Sequence, residues 1–271
     1  MFIRPEHNYA IDDAVIDGIL NDDVQPLCQI SKMLPEGVTV LDIGAGSGVL
    51  GRVLKRAGKH VTIDGIEPNA FAAELAKPFY RAIYTGYAQD HLQAIKDTFY
   101  DYVVLADVIE HIPDPAAFLT ELLGSLPEST RLIISIPNIA FGGVRLALMN
   151  GFFDYVDSGL LERTHLRFFT LATAQRLFDL LHLSSERILF LERSFYRVEF
   201  ARKYLKASPL KILTLANKPD ARAYQYLFVL TRTPSHATVI EHKGVSTLGI
   251  LIDAIVAWPA VKRIVRRWRG R

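Results

Sequence analysis

The sequence predicts an α/β fold in which a mostly parallel β-sheet has helices on both faces. Aliphatic segments of strand length alternate with helix-compatible segments along most of the 271 residues, which is the pattern of parallel sheets built from right-handed crossovers. A glycine-rich turn follows the first such segment, at residues 44–48. The hydrophobic content of 50% is enough for one ordinary α/β domain with additions.

The first strand and its turn indicate a nucleoside site. Asp42 ends an apolar run, and the glycines follow at alternate positions: Gly44, Gly46 and Gly48. Glycines are needed where the backbone takes a positive φ or lies directly against a ligand. Residues 46–51 also fit the G-x-G-x-x-G pattern of dinucleotide turns, which hold a pyrophosphate. Because Asp42 would repel a pyrophosphate and attract a cation, its charge favours a positively charged nucleoside.

The other elements follow in order along the chain. The predicted strands are 38–42, 60–67, 82–85, 100–106, 131–136, 187–191 and 223–231. The predicted helices begin near residue 47, after Pro68, at Pro115, and after the N-cap Thr170. The predicted domain covers 37–233, with a helical insertion over 195–217. A helical lead-in or lid precedes it over 1–36, and a tail that is first apolar and then basic follows over 234–271.

Polar side chains at the ends of later strands are candidates to hold the same ligand. Glu67 ends the second strand nineteen residues after Gly48, a spacing at which an acid accepts hydrogen bonds from ribose hydroxyls. Gln89 follows the third strand, and Asp107 follows the fourth. The carboxyl ends of parallel strands meet at one edge of a sheet, so we expect these residues to lie near the glycine turn.

Two histidines are the candidates for a general base. His111 follows the fourth strand beside Glu110, and a histidine suits proton transfer near neutral pH. His165 lies between Arg163 and Arg167, which would bind an anionic acceptor such as a phosphorylated or uronic sugar. A structural interpretation stays open for both histidines, since each could brace a helix or a loop by hydrogen bonding.

Cysteine content and charge exclude several classes of protein. Cys28 is the one cysteine, which excludes a disulfide scaffold and fits a reducing compartment. The net charge is +2, but residues 262–271 carry six basic residues and no acid, so the rest of the chain sums to −4. A mildly acidic body predicts no nucleic-acid partner. No apolar signal-peptide segment follows Met1, so we expect a cytoplasmic protein.

The C-terminal region differs in character from the rest. Residues 245–256 are almost wholly apolar but fall short of the roughly 20 residues that span a bilayer. Residues 261–268 place basic side chains between apolar ones and include Trp268, which is typical of an element lying on an anionic membrane surface. Peripheral membrane contact through 258–271, on the inner face, is one interpretation. Packing of this segment on the domain or on a partner chain is the other.

Four segments closely resemble class I methyltransferases that use S-adenosylmethionine (SAM). They are 40–48, 101–115, 135–138 and 151–170, and the resemblance extends over about 38–232. The family it resembles is the methyltransferase domain 23 group, which is related to ubiquinone-biosynthesis O-methyltransferases, and 151–170 is similar to its members associated with envelope polysaccharides. The resemblance implies a Rossmann-like seven-stranded sheet whose last strand is antiparallel, with SAM as the cofactor.

The same resemblance assigns site residues. It implies that SAM is held by Asp42, Gly44, Gly46, Gly48, Glu67, Gln89 and Asp107. The sequence Asp107-x-x-Glu110-His111 is similar to the E-x-x-E-H cluster with which ubiquinone O-methyltransferases hold a divalent metal, although metal use is not the favoured interpretation. The chain departs from its relatives at Glu162, where many have Asp, and at Tyr87, where many have an acid.

Several functions are compatible with these residues. The first is O-methylation, with SAM, of a sugar or lipid-linked glycan intermediate in envelope polysaccharide biosynthesis. The alternative is metal-assisted O-methylation of a quinone or another small aromatic acceptor. A third is a SAM-binding subunit without catalytic activity. A dinucleotide-dependent oxidoreductase is disfavoured by the charge of Asp42.

Overall fold

An eight-stranded sheet forms the centre of the protein. The computed structural model describes residues 11–234 and 237–257. The strands are β1 Thr39–Ile43, β2 Thr62–Glu67, β3 Ala82–Thr85, β4 Tyr102–Ala106, β5 Arg131–Pro137, β6 Ser184–Glu192, β7 Ala223–Thr231 and β8 Val239–Gly244. Their order across the sheet is β3-β2-β1-β4-β5-β7-β6-β8. Only β7 runs antiparallel to its neighbours among these strands.

The predicted α/β sheet is confirmed, with a correction to its strand number. All seven predicted strands are present within three residues of their expected bounds. The additional strand β8 lies in the region assigned to the tail and pairs in parallel with β6. It has no clear strand signature because it is a polar edge strand. Two cross-strand contacts hold it there: an ion pair between Arg187 Nε and Glu241 Oε1 at 3.3 Å, and a hydrogen bond between His242 Nδ1 and Glu192 Oε1 at 2.8 Å.

Helices cover both faces of the sheet, as expected. They are α1 Asp13–Leu20, α2 Pro26–Met33, α3 Val49–Arg56, α4 Ala70–Ala76, α5 Leu92–Lys96, α6 Pro115–Gly124, α7 Gly142–Met149, α8 Leu171–Leu180, α9 Pro209–Ala216, α10 Pro219–Arg222 and α11 Thr247–Ala257. Pro115 occupies the first turn of α6. The side chain of Thr170 caps α8 by accepting a hydrogen bond from the Thr173 N–H.

The predicted lead-in and the predicted helical insertion both contain regular structure. The lead-in over 1–36 supplies α1 and α2, which pack on α3, and the carboxylate of Asp17 accepts two hydrogen bonds from Arg56, at 2.7 and 2.8 Å. Within 195–217, α9 and a 3-10 turn at 202–204 are helical and the rest is irregular. The basic segment 258–271, to which membrane contact was assigned, lies outside the described residues.

The core is divided into three clusters of buried apolar side chains. One cluster lies on the sheet face covered by α6 and α8, and a second lies on the face covered by α2 and α3. The third joins α7, α9 and α11 and includes Phe141, Phe195 and Ile250. The third cluster thus packs α7, α9 and α11 together, and all three helices follow β5 in the sequence.

The sheet topology places the predicted site at one edge. β1 lies between β2 and β4, so the strand order reverses at β1. Ligands of doubly wound sheets bind outside the carboxyl ends of the strands at such a reversal. Asp42 lies within the last residues of β1, Glu67 ends β2, and Asp107 directly follows β4. The structure therefore brings these three acids to the same edge.

Candidate active site

The glycine turn between β1 and α3 leaves backbone open to a ligand. Gly44, Gly46 and Gly48 have φ values of 77°, 54° and 83°, in the left-handed region that favours glycine. A Cβ atom on Gly48 would lie 2.8 Å from the Ala76 Cα, so this glycine permits close packing of α4. A Cβ on Gly46 would have no heavy atom within 4 Å. Gly46 is therefore the point at which the turn faces open space.

Glu67 holds this turn in place with both carboxylate oxygens. Its Oε2 accepts a hydrogen bond from the Gly46 N–H at 2.8 Å, and its Oε1 accepts one from the Asn69 N–H at 2.8 Å. The side chain is buried, and that burial raises the pKa of Glu67 against the opposing effect of the two N–H donors. Glu67 thus lies directly beside the open backbone of Gly46.

Asp42 lies beneath the same turn. Its Oδ2 accepts a hydrogen bond from the Tyr80 hydroxyl at 2.6 Å, and that hydroxyl accepts one from the Gly51 N–H at 3.3 Å. The pKa of Asp42 is raised to about 7. Burial is the largest cause; the hydrogen bond from Tyr80 opposes it, and the charge of Glu67 adds to it. Nothing in the sequence distinguished Tyr80, because its role depends on a contact between α3 and the segment after α4.

Asp107 has a backbone conformation that is uncommon for a residue with a side chain. Its φ is 56°, in the left-handed region. Ser135 fixes it twice, accepting a hydrogen bond from the Asp107 N–H at 2.9 Å and donating one to Oδ1 at 2.7 Å. Gln225 Nε2 donates to the same oxygen at 2.8 Å. Sequence analysis does not identify Ser135 and Gln225, because they reach Asp107 only through the pairing of β4, β5 and β7.

Gln89, the remaining predicted SAM residue, lies in the 3-10 turn 88–91 after β3. Its side chain is exposed. The turn is fixed by Asp90, whose Oδ2 accepts a hydrogen bond from the Tyr87 N–H at 3.0 Å. Gln89 therefore lies near the carboxyl ends of β2 and β3, at the same edge of the sheet as Glu67.

The two predicted histidines lie together. The rings of His111 and His165 are edge to face, with centroids 4.9 Å apart. The backbone carbonyl of Glu110 makes this possible, because it accepts hydrogen bonds from the N–H groups of Leu166 and Arg167 at 2.8 and 2.9 Å. These bonds attach the segment 151–170 to the turn after β4.

Both imidazoles make their backbone contact through Nδ1. His111 Nδ1 lies 3.0 Å from the Thr164 carbonyl oxygen, and His165 Nδ1 lies 3.1 Å from that of Leu160. A carbonyl oxygen only accepts, so each Nδ1 donates, and a neutral ring then keeps its lone pair on Nε2. Burial lowers the pKa of His165, which favours that neutral ring.

Glu110 is a buried acid without a polar partner among the described residues. Its side chain is 1% exposed, and neither carboxylate oxygen has a hydrogen-bond partner there. Burial, with the nearby charge of Asp107, raises the pKa of Glu110 well above its usual range. A buried acid of this kind needs a functional or structural explanation, since an unsatisfied buried carboxyl group is costly.

The structure brings together only two of the three residues named for the alternative metal site. Glu110, His111 and His165 each offer a ligand atom, and these atoms lie within 4.8 Å of one another. Asp107 is not a member of this group, because its carboxylate is held by Ser135 and Gln225. In residues 11–234 and 237–257, the group that could hold a metal ion thus contains His165 and not Asp107. Spacing along the chain could not indicate that His165 joins Glu110 and His111, since the segment 151–170 is distant from them in sequence.

The two predicted acceptor-binding arginines differ. Arg163 is exposed and forms a long ion pair with Asp157, with 3.4 Å between Nε and Oδ1. Arg167 donates to the Pro113 carbonyl, with its Nε at 2.8 Å, and so braces the turn after β4. Both arginines are exposed, but only Arg167 is bonded to the turn after β4.

An aromatic surface extends from His165 to solvent. The ring centroids of His165 and Phe168 are 6.4 Å apart, those of Phe168 and Phe153 are 6.0 Å apart, and those of Phe153 and Tyr155 are 5.6 Å apart. Phe153 and Tyr155 are exposed. These rings were not predicted as site residues, although their segment carried the resemblance to polysaccharide-associated proteins.

Comparisons with known proteins agree with this geometry. A family model described as a methyltransferase domain matches residues 19–183, more than half of the chain. The chain is 32% identical to the ubiquinone biosynthesis O-methyltransferase of Xylella fastidiosa over 143 residues, which are 50% of this chain and 56% of that protein. It is 37% identical to the protein of the same name from Hydrogenovibrio crunogenus over 91 residues, 31% of this chain and 36% of that protein. The chain spans about half the length of the first of these relatives and less of the second.

Solved structures show the same fold. A SAM-dependent methyltransferase from Archaeoglobus fulgidus matches with a TM-score of 0.53 and 17% identity, over 81% of this chain and all 100% of that one. A methyltransferase from Thermotoga maritima, described as a possible histamine N-methyltransferase, matches with a TM-score of 0.51 and 16% identity, over 81% of this chain and 92% of that one. The chain belongs to the methyltransferase domain family, and its fold is that of class I SAM-dependent methyltransferases.

Proposed function

We propose that this protein transfers the methyl group of SAM to an oxygen atom of a sugar or lipid-linked glycan intermediate of envelope polysaccharide synthesis. The observation that carries the proposal is the pair of buried acids, Asp42 and Glu67, around a glycine turn that is open at Gly46. Bound SAM would supply an activated methyl group whose carbon–sulfur bond breaks as the acceptor oxygen attacks it, the electron pair remaining on sulfur.

The residues at the turn fit SAM better than a dinucleotide. SAM carries a sulfonium and an ammonium, which an ionised Asp42 attracts, and it has no phosphate to be repelled. Glu67 offers acceptor oxygens beside Gly46, where ribose hydroxyls could donate to them. The open space at Gly46 admits a ligand against the backbone. Asp107, fixed by Ser135 and Gln225, adds a third acid at the same edge.

SAM affinity should depend on the ionisation of Asp42. Its pKa of about 7 means that the attracting charge is mostly absent at pH 6 and mostly present at about pH 7.5. We expect the dissociation constant of SAM to fall by close to tenfold between these pH values, as measured by calorimetry. The variant Asp42→Asn should bind SAM weakly and with little dependence on pH over this range.

A second variant checks the cause of that pH dependence. Tyr80→Phe removes the hydrogen bond that lowers the pKa of Asp42, so the midpoint should move to higher pH. Because the folded-state pKa is raised, the contribution of Asp42 to ligand-free stability is present below about pH 4 and is lost as the pH rises through about 7. Wild-type SAM affinity that does not change between pH 6 and 7.5 would contradict the role given to Asp42.

The acceptor side of the site supports a sugar. The aromatic surface of Phe153, Tyr155 and Phe168 offers ring faces to the apolar face of a sugar, and exposed Arg163 suits an anionic substituent. A hydroxyl acceptor needs a base, and the imidazoles of His165 and His111 make no hydrogen bond through Nε2 among the described residues, which leaves this nitrogen available for the proton. The Nδ1 contacts to backbone carbonyls hold each ring in the tautomer that the transfer requires.

Radiolabel transfer from SAM to a panel of nucleotide sugars and phenols tests this proposal. We expect transfer to nucleotide sugars, and a fall of about 10²- to 10⁴-fold in kcat for His165→Gln or His111→Gln, with SAM affinity unchanged. His60→Gln is the matched control, because His60 is exposed at the opposite edge of the sheet. Transfer to phenols alone, or full activity of both histidine variants, would refute the sugar acceptor or the base, respectively.

A metal-assisted methyltransferase for a quinone or small aromatic is the second candidate. The observation that favours it is the group of Glu110, His111 and His165, whose buried carboxylate has no other partner among the described residues. Two imidazoles and a carboxylate, with Nδ1 bonded to carbonyl groups, form a chemically reasonable set for a divalent ion. Such an ion would stabilise an ionised phenol oxygen. The curated relatives are named for ubiquinone biosynthesis.

Manganese binding, followed by electron paramagnetic resonance, separates the two candidates. If the metal site is real, Mn²⁺ should bind the wild-type protein, and Glu110→Gln or His165→Gln should weaken binding by at least about tenfold. Asp107→Asn is the control and should retain the ion, since Asp107 lies outside the group. Absence of Mn²⁺ binding, together with full activity in EDTA, would eliminate the metal-assisted candidate.

A further inference from the structure

Helices α9 and α11 together present an exposed apolar surface, here called the α9–α11 face. It consists of Leu210, Leu213, Leu248, Ile252 and Ile255. Leu210 and Leu248 are the most exposed, at 71% and 66%. Soluble monomers rarely leave a contiguous group of large aliphatic side chains in water, so such a surface indicates a binding partner or a membrane.

The orientation of α11 is fixed by its inner side. Ile250 is fully buried in the third core cluster, and Ala254 is nearly so. The Thr247 hydroxyl donates to the Ala216 carbonyl at 2.9 Å, and Arg197 pairs with Asp253 at 2.6 Å. The helix is therefore held at its first residue on α9 and at Asp253 on the segment after β6. Its apolar residues at 248, 252 and 255 follow helical spacing and point away from the core.

Basic residues lie within α9 and close to it in the sequence. Residues 197–218 contain six basic residues and one acid, Glu199. Lys203, Lys206, Lys211 and Lys218 are all exposed. Asp253, the one acid of α11, is paired with Arg197, and Glu199 accepts hydrogen bonds from the Tyr224 hydroxyl at 3.1 Å. With these acids paired, the remaining charge of 197–218 is cationic, which complements an anionic surface.

The chain beyond α11 continues the same chemistry. Residues 258–271 follow α11 directly and contain six basic residues, no acid and two tryptophans. An apolar strip next to basic side chains is the composition of elements that lie in the headgroup region of anionic bilayers. No helix within residues 11–234 and 237–257 is long and apolar enough to cross a membrane.

We propose that the α9–α11 face docks the protein on an anionic lipid bilayer. The exposed leucine and isoleucine side chains enter the headgroup boundary, and the surrounding lysines contact lipid phosphates. The third core cluster connects this face to α7 and the segment that leads to the aromatic surface, so docking holds the acceptor side of the protein near lipid. The proposal does not depend on which acceptor is methylated.

Co-sedimentation of the full chain with vesicles tests this docking. We expect binding to vesicles that contain phosphatidylglycerol, weaker binding to pure phosphatidylcholine, and loss of affinity as salt is raised. The double variant Leu248→Glu with Ile252→Glu should bind at least about tenfold more weakly, because both side chains leave the headgroup boundary. Circular dichroism and SAM binding should stay as in the wild type, since both residues are exposed.

Leu180→Glu is the matched control. Leu180 is 68% exposed on α8, outside the α9–α11 face, so this variant should bind vesicles as the wild type does. Vesicle binding that survives the double substitution would overturn the proposal and assign docking to 258–271 alone. A wild-type dimer in light scattering that the double variant abolishes, without any vesicle binding, would instead identify a second copy of this chain as the occupant.

Discussion

The hydrogen bond between the Gly46 N–H and the Glu67 carboxylate, at 2.8 Å, is the contact on which the site depends. It ties the tip of β2 to the turn after β1, while Tyr80 ties Asp42 to the start of α3. Two acids that are mostly withdrawn from water then lie around one open stretch of backbone. Their burial makes their negative charge costly, so a cationic ligand that offsets the charge gains more here than it would at an exposed site.

A second set of backbone contacts assembles the acceptor side. The Glu110 carbonyl accepts two N–H groups from the segment 151–170, which places His165 against His111 and leaves Nε2 of both rings free. The same bonds bring the aromatic surface of Phe153 and Phe168 to the rim. The proposed base, the group that could hold a metal ion and the proposed wall for the acceptor all depend on this one attachment between two loops.

Much of this arrangement could be predicted because it is local or follows from parallel topology. The local features are the strands and the cap at Thr170. The feature that follows from parallel topology is the meeting of Asp42, Glu67 and Asp107 at one edge. Tyr80 and Gln225 were not predictable in the same way, since their partners are distant in sequence and depend on packing. The polar composition of β8 concealed an edge strand, because its stability comes from cross-strand pairs rather than from apolar alternation.

The central claim is that Asp42 and Glu67 hold a cationic nucleoside rather than a pyrophosphate. Crystals of the protein soaked in parallel with SAM and with NAD test it directly. We expect density for SAM alone, with its ribose hydroxyls within hydrogen-bond distance of Glu67 and its backbone contact at Gly46. A pyrophosphate of NAD bound on the glycine turn, or SAM bound away from Glu67, would contradict it.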